Sequence, residues 1–325
     1  LIFDVDNTFL PIFSTQQVNV LLTKTIMRKI LLVALILIGA ITVNAQQLHF
    51  MSQLMQHNTM YNPAAAGMSS ANRVGMAYRS MWASFPGNPK TTMVYGDFDL
   101  KKFNSGIATY LYRDETGPTS RTGIQLAYSY HIVSKDEKSK FGIGLELRGL
   151  QYAIDKSKIS STVSGDPAIS GAQNKFAFDA GFGVYWTNDK LTAGASVSQL
   201  MQSKLQLSDV PNTKLGGKLY RHYNINANYK FQTGEDIYLI PFVMARVIEN
   251  SPMEFDLGAK LDYQDKLWWA LNWRVNQLWS LQAGAKLLQR LRLSYSYDIY
   301  NAPISAFEAG SGSHEIGLKF DLKKK

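Results

Sequence analysis

The sequence predicts an all-β protein: a single transmembrane antiparallel β-barrel of about fourteen strands over 71–325, with a short helical lead-in before it. Three observations predict it. Apolar and small or polar residues alternate with a period of two along most of the chain. The connections between the alternating stretches are short and long in turn. The only long apolar run lies near the start and has the form of an export signal.

The alternation is clearest at 123–132. There Ile124, Leu126, Tyr128, Tyr130 and Ile132 oppose Gly123, Gln125, Ala127, Ser129 and His131. A period of two is that of a β-strand with one apolar and one polar face. In a soluble sandwich the apolar face packs on a second sheet. In a membrane barrel it faces lipid, and the polar face lines a wet interior.

Residues 1–26 begin with Leu1, and Asp4-Val5-Asp6-Asn7-Thr8 follow an apolar run. This D-x-D-x-T pattern resembles the first motif of haloacid-dehalogenase-like phosphatases. That fold needs alternating strands and helices downstream, and here a signal sequence follows instead. Residues 1–26 are read as translation upstream of Met27. Met27-Arg28-Lys29, the apolar run 30–38 and Val43-Asn44-Ala45 give a basic start, a short apolar centre and a small-x-Ala end. Residues 27–45 are therefore read as a signal peptide cleaved after Ala45. The run is too short for a comfortable membrane-spanning helix.

Residues 46–70 do not alternate. Phe50 with Leu54, and Met51 with Met55, recur at i, i+4, which predicts a short amphipathic helix ended by Asn62-Pro63. Ala64-Ala65-Ala66 add a tight turn closed by Gly67. The segment is either a plain lead-in or a plug or dock. Strands are then expected at 72–83, 90–100, 103–113, 120–132, 139–152, 175–188, 190–200, 219–232, 236–248, 253–264, 266–276, 278–288, 289–299 and 313–322. Phe141, Ile143, Leu145 and Leu147 oppose Gly142, Gly144, Glu146 and Arg148. Leu291, Leu293, Tyr295, Tyr297 and Ile299 oppose Arg290, Arg292, Ser294, Ser296 and Asp298. Inward charges of this kind favour a barrel over a periplasmic sandwich, whose inner faces are dry.

Short connections are expected at 101–102, 134–138, 189, 233–235, 265 and 289, and longer ones at 114–119, 153–174, 201–218 and 300–312. Short turns at one end and long loops at the other mark outer-membrane barrels, with turns in the periplasm and loops outside. Trp82, Trp186, Trp268, Trp269, Trp273 and Trp279 lie mostly near strand ends, where an aromatic girdle sits.

Catalytic and cofactor chemistry is not visible. With no cysteine, these residues build no disulfide, thiol nucleophile or cysteine–zinc site. The five histidines have no zinc-ligand spacing. Gly142-Ile143-Gly144 and Gly181-Phe182-Gly183 begin like a dinucleotide fingerprint, but both lack the third glycine and lie inside strands. The net charge of +9 is spread through turns and strands, which reads as a solvated surface and not as a nucleic-acid site. Glu146, Arg148, Asp256, Lys260, Arg274, Lys286 and Lys319 read as a lumen network. No cofactor, no metal and no enzymatic activity are expected.

Both ends of the chain after Ala45 carry short motifs. These are Tyr61-Asn62-Pro63-Ala64-Ala65-Ala66-Gly67, then Tyr78-Arg79-Ser80-Met81-Trp82, then Pro89-Lys90-Thr91-Thr92 with Asp97. Near the end come Tyr295-Ser296-Tyr297-Asp298 and Gly312-Ser313-His314-Glu315-Ile316. In order and spacing they resemble the PorP/SprF family, outer-membrane components of the type IX secretion system of Bacteroidetes. The resemblance implies a non-enzymatic barrel in outer-membrane lipid that helps to export or hold secreted surface proteins such as adhesins. It also implies contact with periplasmic secretion machinery and a connection with gliding motility. The alternative is a passive porin or small-solute channel. Asn62, Pro63, Ala64 and Gly67 form the N-terminal motif.

Barrel closure makes the first and last strands neighbours. Arg79 and Trp82, late in the first strand, should then meet Ser313, His314 and Glu315, early in the last, with Asp298 alongside. Alternation puts Arg79, Glu315 and Asp298 on the inner face, with Arg79 between two carboxylates. This patch is either a closure clamp or a receptor for the surface partner.

Overall fold

The computed structural model describes residues 51–69, 71–159, 174–206, 216–249, 251–307 and 309–322. The expected signal peptide and the D-x-D-x-T stretch lie outside them. One antiparallel sheet of fourteen strands closes on itself. Its strands are β1 Arg73–Met81, β2 Lys90–Leu100, β3 Ser105–Thr116, β4 Thr119–Val133, β5 Lys140–Ile154, β6 Asn174–Thr187 and β7 Leu191–Ser198. Then follow β8 His222–Tyr229, which resumes as Phe231–Gly234 after Lys230, β9 Ile237–Ile248, β10 Glu254–Tyr263, β11 Leu267–Arg274, β12 Leu278–Lys286, β13 Leu291–Tyr300 and β14 Ser313–Asp321. A separate short hairpin pairs Lys204–Gln206 with Gly216–Lys218. Each strand pairs with its sequence neighbours, and β14 closes on β1 in a register from Arg73↔Asp321 to Met81↔Ser313. Closure gives every strand two partners, which is how a sheet crosses lipid without an open edge.

The distribution of side chains is the inverse of a soluble protein's. Leu145, Leu147, Phe178, Ile225 and Leu281 point outward and are exposed, Phe178 at 70%. Arg79, Glu146, Asp256, Asn272, Asp298 and Glu315 point inward and are buried. An apolar outer face and a polar, charged interior fit a protein solvated by hydrocarbon outside. No helix among the described residues is long and apolar enough to cross a membrane. The crossing is made by strands.

Strand ends depart from expectation where the backbone turns. β3 starts later because Lys101–Phe103 forms a 3-10 turn closed by Asn104 in the left-handed region (φ 44°). β7 ends at Ser198 because Gln199 is left-handed (φ 61°). The expected long loop at 114–119 is absent. Pairing runs on to Thr116↔Thr119, so only Gly117 and Pro118 connect β3 to β4, with Gly117 at φ +56°. Nor does Trp268 join an outer girdle: it stands in the lumen with Lys260 Nζ 5.4 Å from its ring. Trp273 and Trp279 do stack on the outer wall, with centroids 5.5 Å apart.

The lead-in is not one amphipathic helix. Leu54–Gln56 is a 3-10 turn, Asn58–Tyr61 a single α turn and Pro63–Ala65 another 3-10 turn. His57 breaks the run, with φ −124° and ψ 35° outside the helical region. The N–H groups of Ser52 and Gln53 donate to the Glu315 carboxylate, at 2.6 and 3.4 Å, and not along a helix. Residues 51–69 lie within the barrel.

Candidate functional site

The site is the seat in which 51–69 is held. The stretch Asn62–Gly67 meets the wall at its narrowest approach. Asn62 Oδ1 accepts from Ala64 N (3.0 Å), which caps the 3-10 turn. Asn62 Nδ2 donates to Val184 O on β6 (3.0 Å) and Ala195 O on β7 (3.3 Å). Ser129 Oγ donates to Ala64 O (3.0 Å), and His131 Nε2 lies 2.9 Å from Ala66 O. Gly67 N donates to Asp97 Oδ1 (2.6 Å), and Ser69 Oγ donates to Asp97 Oδ2 (2.5 Å).

The wall makes room for this stretch with glycine. A Cβ at Gly142 would stand 2.6 Å from Ala64 O. One at Gly144 would overlap the Ala64 backbone, one at Gly106 the Ala66 carbonyl, and one at Gly183 the Asn62 amide. Gly142, Gly144 and Gly183, from the stretches that open like nucleotide fingerprints, thus belong to a seat with no room for a side chain, whereas Gly181 makes room for the Glu146 carboxylate.

The middle of the segment is held by side chains on several strands. Gln125 Nε2 donates to Thr59 O (3.1 Å), Arg148 Nη2 to Met60 O (2.8 Å), Ser196 Oγ to Tyr61 O (2.6 Å) and Asn224 Nδ2 to Tyr61 O (3.3 Å). Met51, Leu54, Met60 and Tyr61 pack with Met93, Tyr95, Tyr110 and Met244 into an apolar core inside the lumen. Tyr95 and Tyr110 stack there at 5.3 Å.

The upper anchor is the charged cluster at the end of the barrel that carries the longer connections. Arg79 Nη2 lies 2.6 Å from Asp298 Oδ2, and Arg79 Nη1 lies 3.5 Å from Glu315 Oε2. All three side chains are fully buried. Ser52 closes the cluster: its Oγ donates to Asp298 Oδ2 (2.6 Å) and accepts from Arg79, while Gln282 Nε2 donates to Ser52 O (3.0 Å). Alternation and closure therefore bring Arg79, Asp298 and Glu315 together. Ser313 joins through Tyr300, with hydroxyls 2.8 Å apart, and Trp82 N donates to Ser313 Oγ (3.3 Å). His314 does not join. It stands on the outer face, with Nδ1 2.6 Å from Tyr295 OH and its ring beside Tyr297. Adjacent strand residues face opposite ways, so His314 and Glu315 cannot share a site.

A second buried charged cluster adjoins the first. Asp256 takes Arg246 (2.9 Å) and Arg274 (3.0 Å), Arg246 also reaches Glu254 (3.0 Å), and Asn272 donates to Asp256. Arg148 pairs with Glu146 at 2.7 Å. At the short-turn end Lys260 pairs with Asp262 at 2.7 Å, and Lys286 lies 3.8 Å from Asp265. Buried pairs of this kind fix geometry more than they add stability. Sequence reasoning missed Ser52, Gln282 and the wall glycines. The pairing of Asn62-Pro63 with inward glycines on the strands was the available signal. No group of three or more metal-ligating side chains occurs among the described residues.

A family model described as the type IX secretion system membrane protein PorP/SprF matches residues 43–320, which include both the segment in the lumen and the barrel. Among solved structures, the chain is similar to the toluene transporter TbuX of Ralstonia pickettii. The identity is 9% and the TM-score 0.48, over 82% of this chain and 93% of that one. It is also similar to the outer membrane protein Omp33 of Acinetobacter baumannii (8%, 0.41, covering 79% and 100%) and to the KdgM porin (8%, 0.38, covering 77% and 99%). No protein of curated description matches the sequence. The family match covers most of the chain, and the chain belongs to the PorP/SprF family of type IX secretion system membrane proteins, as an outer-membrane barrel.

Proposed function

We propose that this barrel is a non-enzymatic scaffold of the type IX secretion system, supporting export or surface attachment of adhesin-like secreted proteins and contacting periplasmic machinery. The observation that carries this reading is the filled lumen. Residues 51–69 are bound to the wall by hydrogen bonds from β2, β4, β5, β6, β7, β8, β12 and β14. A solute channel needs that space open. In planar bilayers the purified protein is expected to give no steady large conductance. Such a conductance would overturn the scaffold in favour of a porin. Mild extraction of native outer membrane should recover a large surface protein with the barrel; recovery of the barrel alone counts against the reading.

Of the two roles for the patch at the first and last strands, we favour the clamp. Arg79, Asp298 and Glu315 are enclosed with Ser52 and present no surface to a partner. The partner then meets Trp82 and the 300–312 connection, and the cluster holds the segment beneath.

A further inference from the structure

The two ends of the lumen are unlike. The end with the longer connections carries buried charges paired with one another, whereas a polar cavity of about 250 Å³ opens beside the segment near the short-turn end. Its walls include Arg73 on β1, Asp97 on β2, Thr187 and Thr192 beside the β6–β7 turn, and Lys319 on β14. Gln56 and Asn58 form its floor. Lys319 is 93% buried by its 7% exposure, yet no carboxylate lies within ion-pair distance of it among the described residues. Among the described residues its ammonium rests on Gln56, donating to the side-chain oxygen and to Gln56 O (3.4 Å). The carboxylate next along the same face, Asp321, is shared by Arg73 (2.9 Å) and Arg292 (2.7 Å). Asp97, on another wall, is taken by Gly67 N and Ser69 Oγ. A buried ammonium supported by amide oxygens lacks the counter-charge that normally offsets its desolvation.

We propose that this cavity is a binding site for a peptide carboxylate, with Lys319 as its principal ligand. Arg73, a quarter exposed at the mouth, supplies a second cation. Asn58, Thr187 and Thr192 offer amide and hydroxyl groups to the flanking peptide. The volume admits a carboxylate with a few neighbouring atoms and excludes a folded domain, so the occupant is a side chain or chain terminus inserted from the short-turn end. The site does not depend on the secretory role proposed above; only the side of the membrane it faces follows from the orientation adopted.

The test is calorimetric titration of the detergent-solubilised chain from Gln46 to Lys325 with three peptides. Acetyl-Gly-Glu-Gly-amide carries a side-chain carboxylate, acetyl-Gly-Gly-Gly acid a terminal one, and acetyl-Gly-Gly-Gly-amide neither. One or both acidic peptides should bind at least about tenfold more tightly than the neutral one, and which of them binds identifies the source of the carboxylate. Lys319→Met should lose that preference and Lys319→Arg should retain it, with both variants keeping the heat-dependent gel shift of a folded barrel. Equal binding of all three peptides, no binding, or an unchanged preference in a folded Lys319→Met barrel overturns the proposal. Because the measurement needs neither client nor secretion, its failure leaves the scaffold reading intact, and loss of client recovery leaves the site intact.

Discussion

Arg79 shows how much a single residue's place in a closed barrel determines. It faces Glu315 directly in the β1–β14 register and reaches Asp298 one strand further on. Removing its charge leaves two buried carboxylates without a cation, a change that typically costs about 3–5 kcal/mol. Arg79→Ala should therefore lower the urea midpoint of the folded barrel markedly. Arg79→Lys should lower it less, since a lysine keeps the charge but not the forked geometry. A midpoint unchanged in Arg79→Ala would remove the clamp. This cluster was legible in the sequence because period-two alternation sorts inward from outward residues and closure joins the two chain ends. Ser52 was not legible. No periodicity links a residue well upstream of β1 to a carboxylate on β13, and only the fold brings them together.

At the scale of elements, the inserted segment and its glycine seat form one unit. Its three short turns are too small to hold themselves, so their conformation depends on the wall. Gly144→Val places branched carbon where the Ala64 backbone lies. Overpacking of this kind costs about 1–3 kcal/mol, and expulsion of a small segment relieves it more readily than rupture of a β5 ladder. The variant should retain the barrel's heat-dependent gel shift yet become cleavable by added protease within 51–69, where wild type resists. Resistance equal to wild type would show that the seat is not tight. The turns have their own signature. Asp265, between β10 and β11, is pulled upward by partial burial. Hydrogen bonds from Arg292, with the charges of Arg292, Lys286 and Lys260, outweigh this and hold its carboxyl below the ordinary range. A lowered carboxyl contributes stability in full above its unfolded value, near about 3.9, and loses it as the pH falls through the folded value. As the pH falls below about 4, then, Asp265→Asn should show a shallower fall in unfolding temperature than wild type. Parallel curves would dismiss the contribution.

At the scale of the whole molecule, the strand count was legible because lipid outside and charge inside impose alternation on every strand alike. The lumen's contents were not, because a plug carries no period of its own and its polar contacts are made strand by strand. The same architecture makes an orientation prediction. An even number of strands puts Arg73 at the start of β1 and Asp321 at the end of β14 on the same end of the barrel. That end also carries the tight connections β2–β3, β4–β5, β6–β7 and β10–β11. The other end carries the longer ones, after β5, β7 and β13. Outer-membrane barrels keep turns in the periplasm and loops outside. Protease added to intact cells should therefore cut within 153–174 or 201–218 and spare 134–140, whereas the same protease on opened cells should reach 134–140 as well. Lys101, Lys102, Asp136, Glu137 and Lys138 then face the periplasm together with the mouth of the cavity at Arg73, while Trp82 and 300–312 face outward. Cleavage of intact cells at 134–140 alone would invert this topology and move the cavity's mouth to the cell surface.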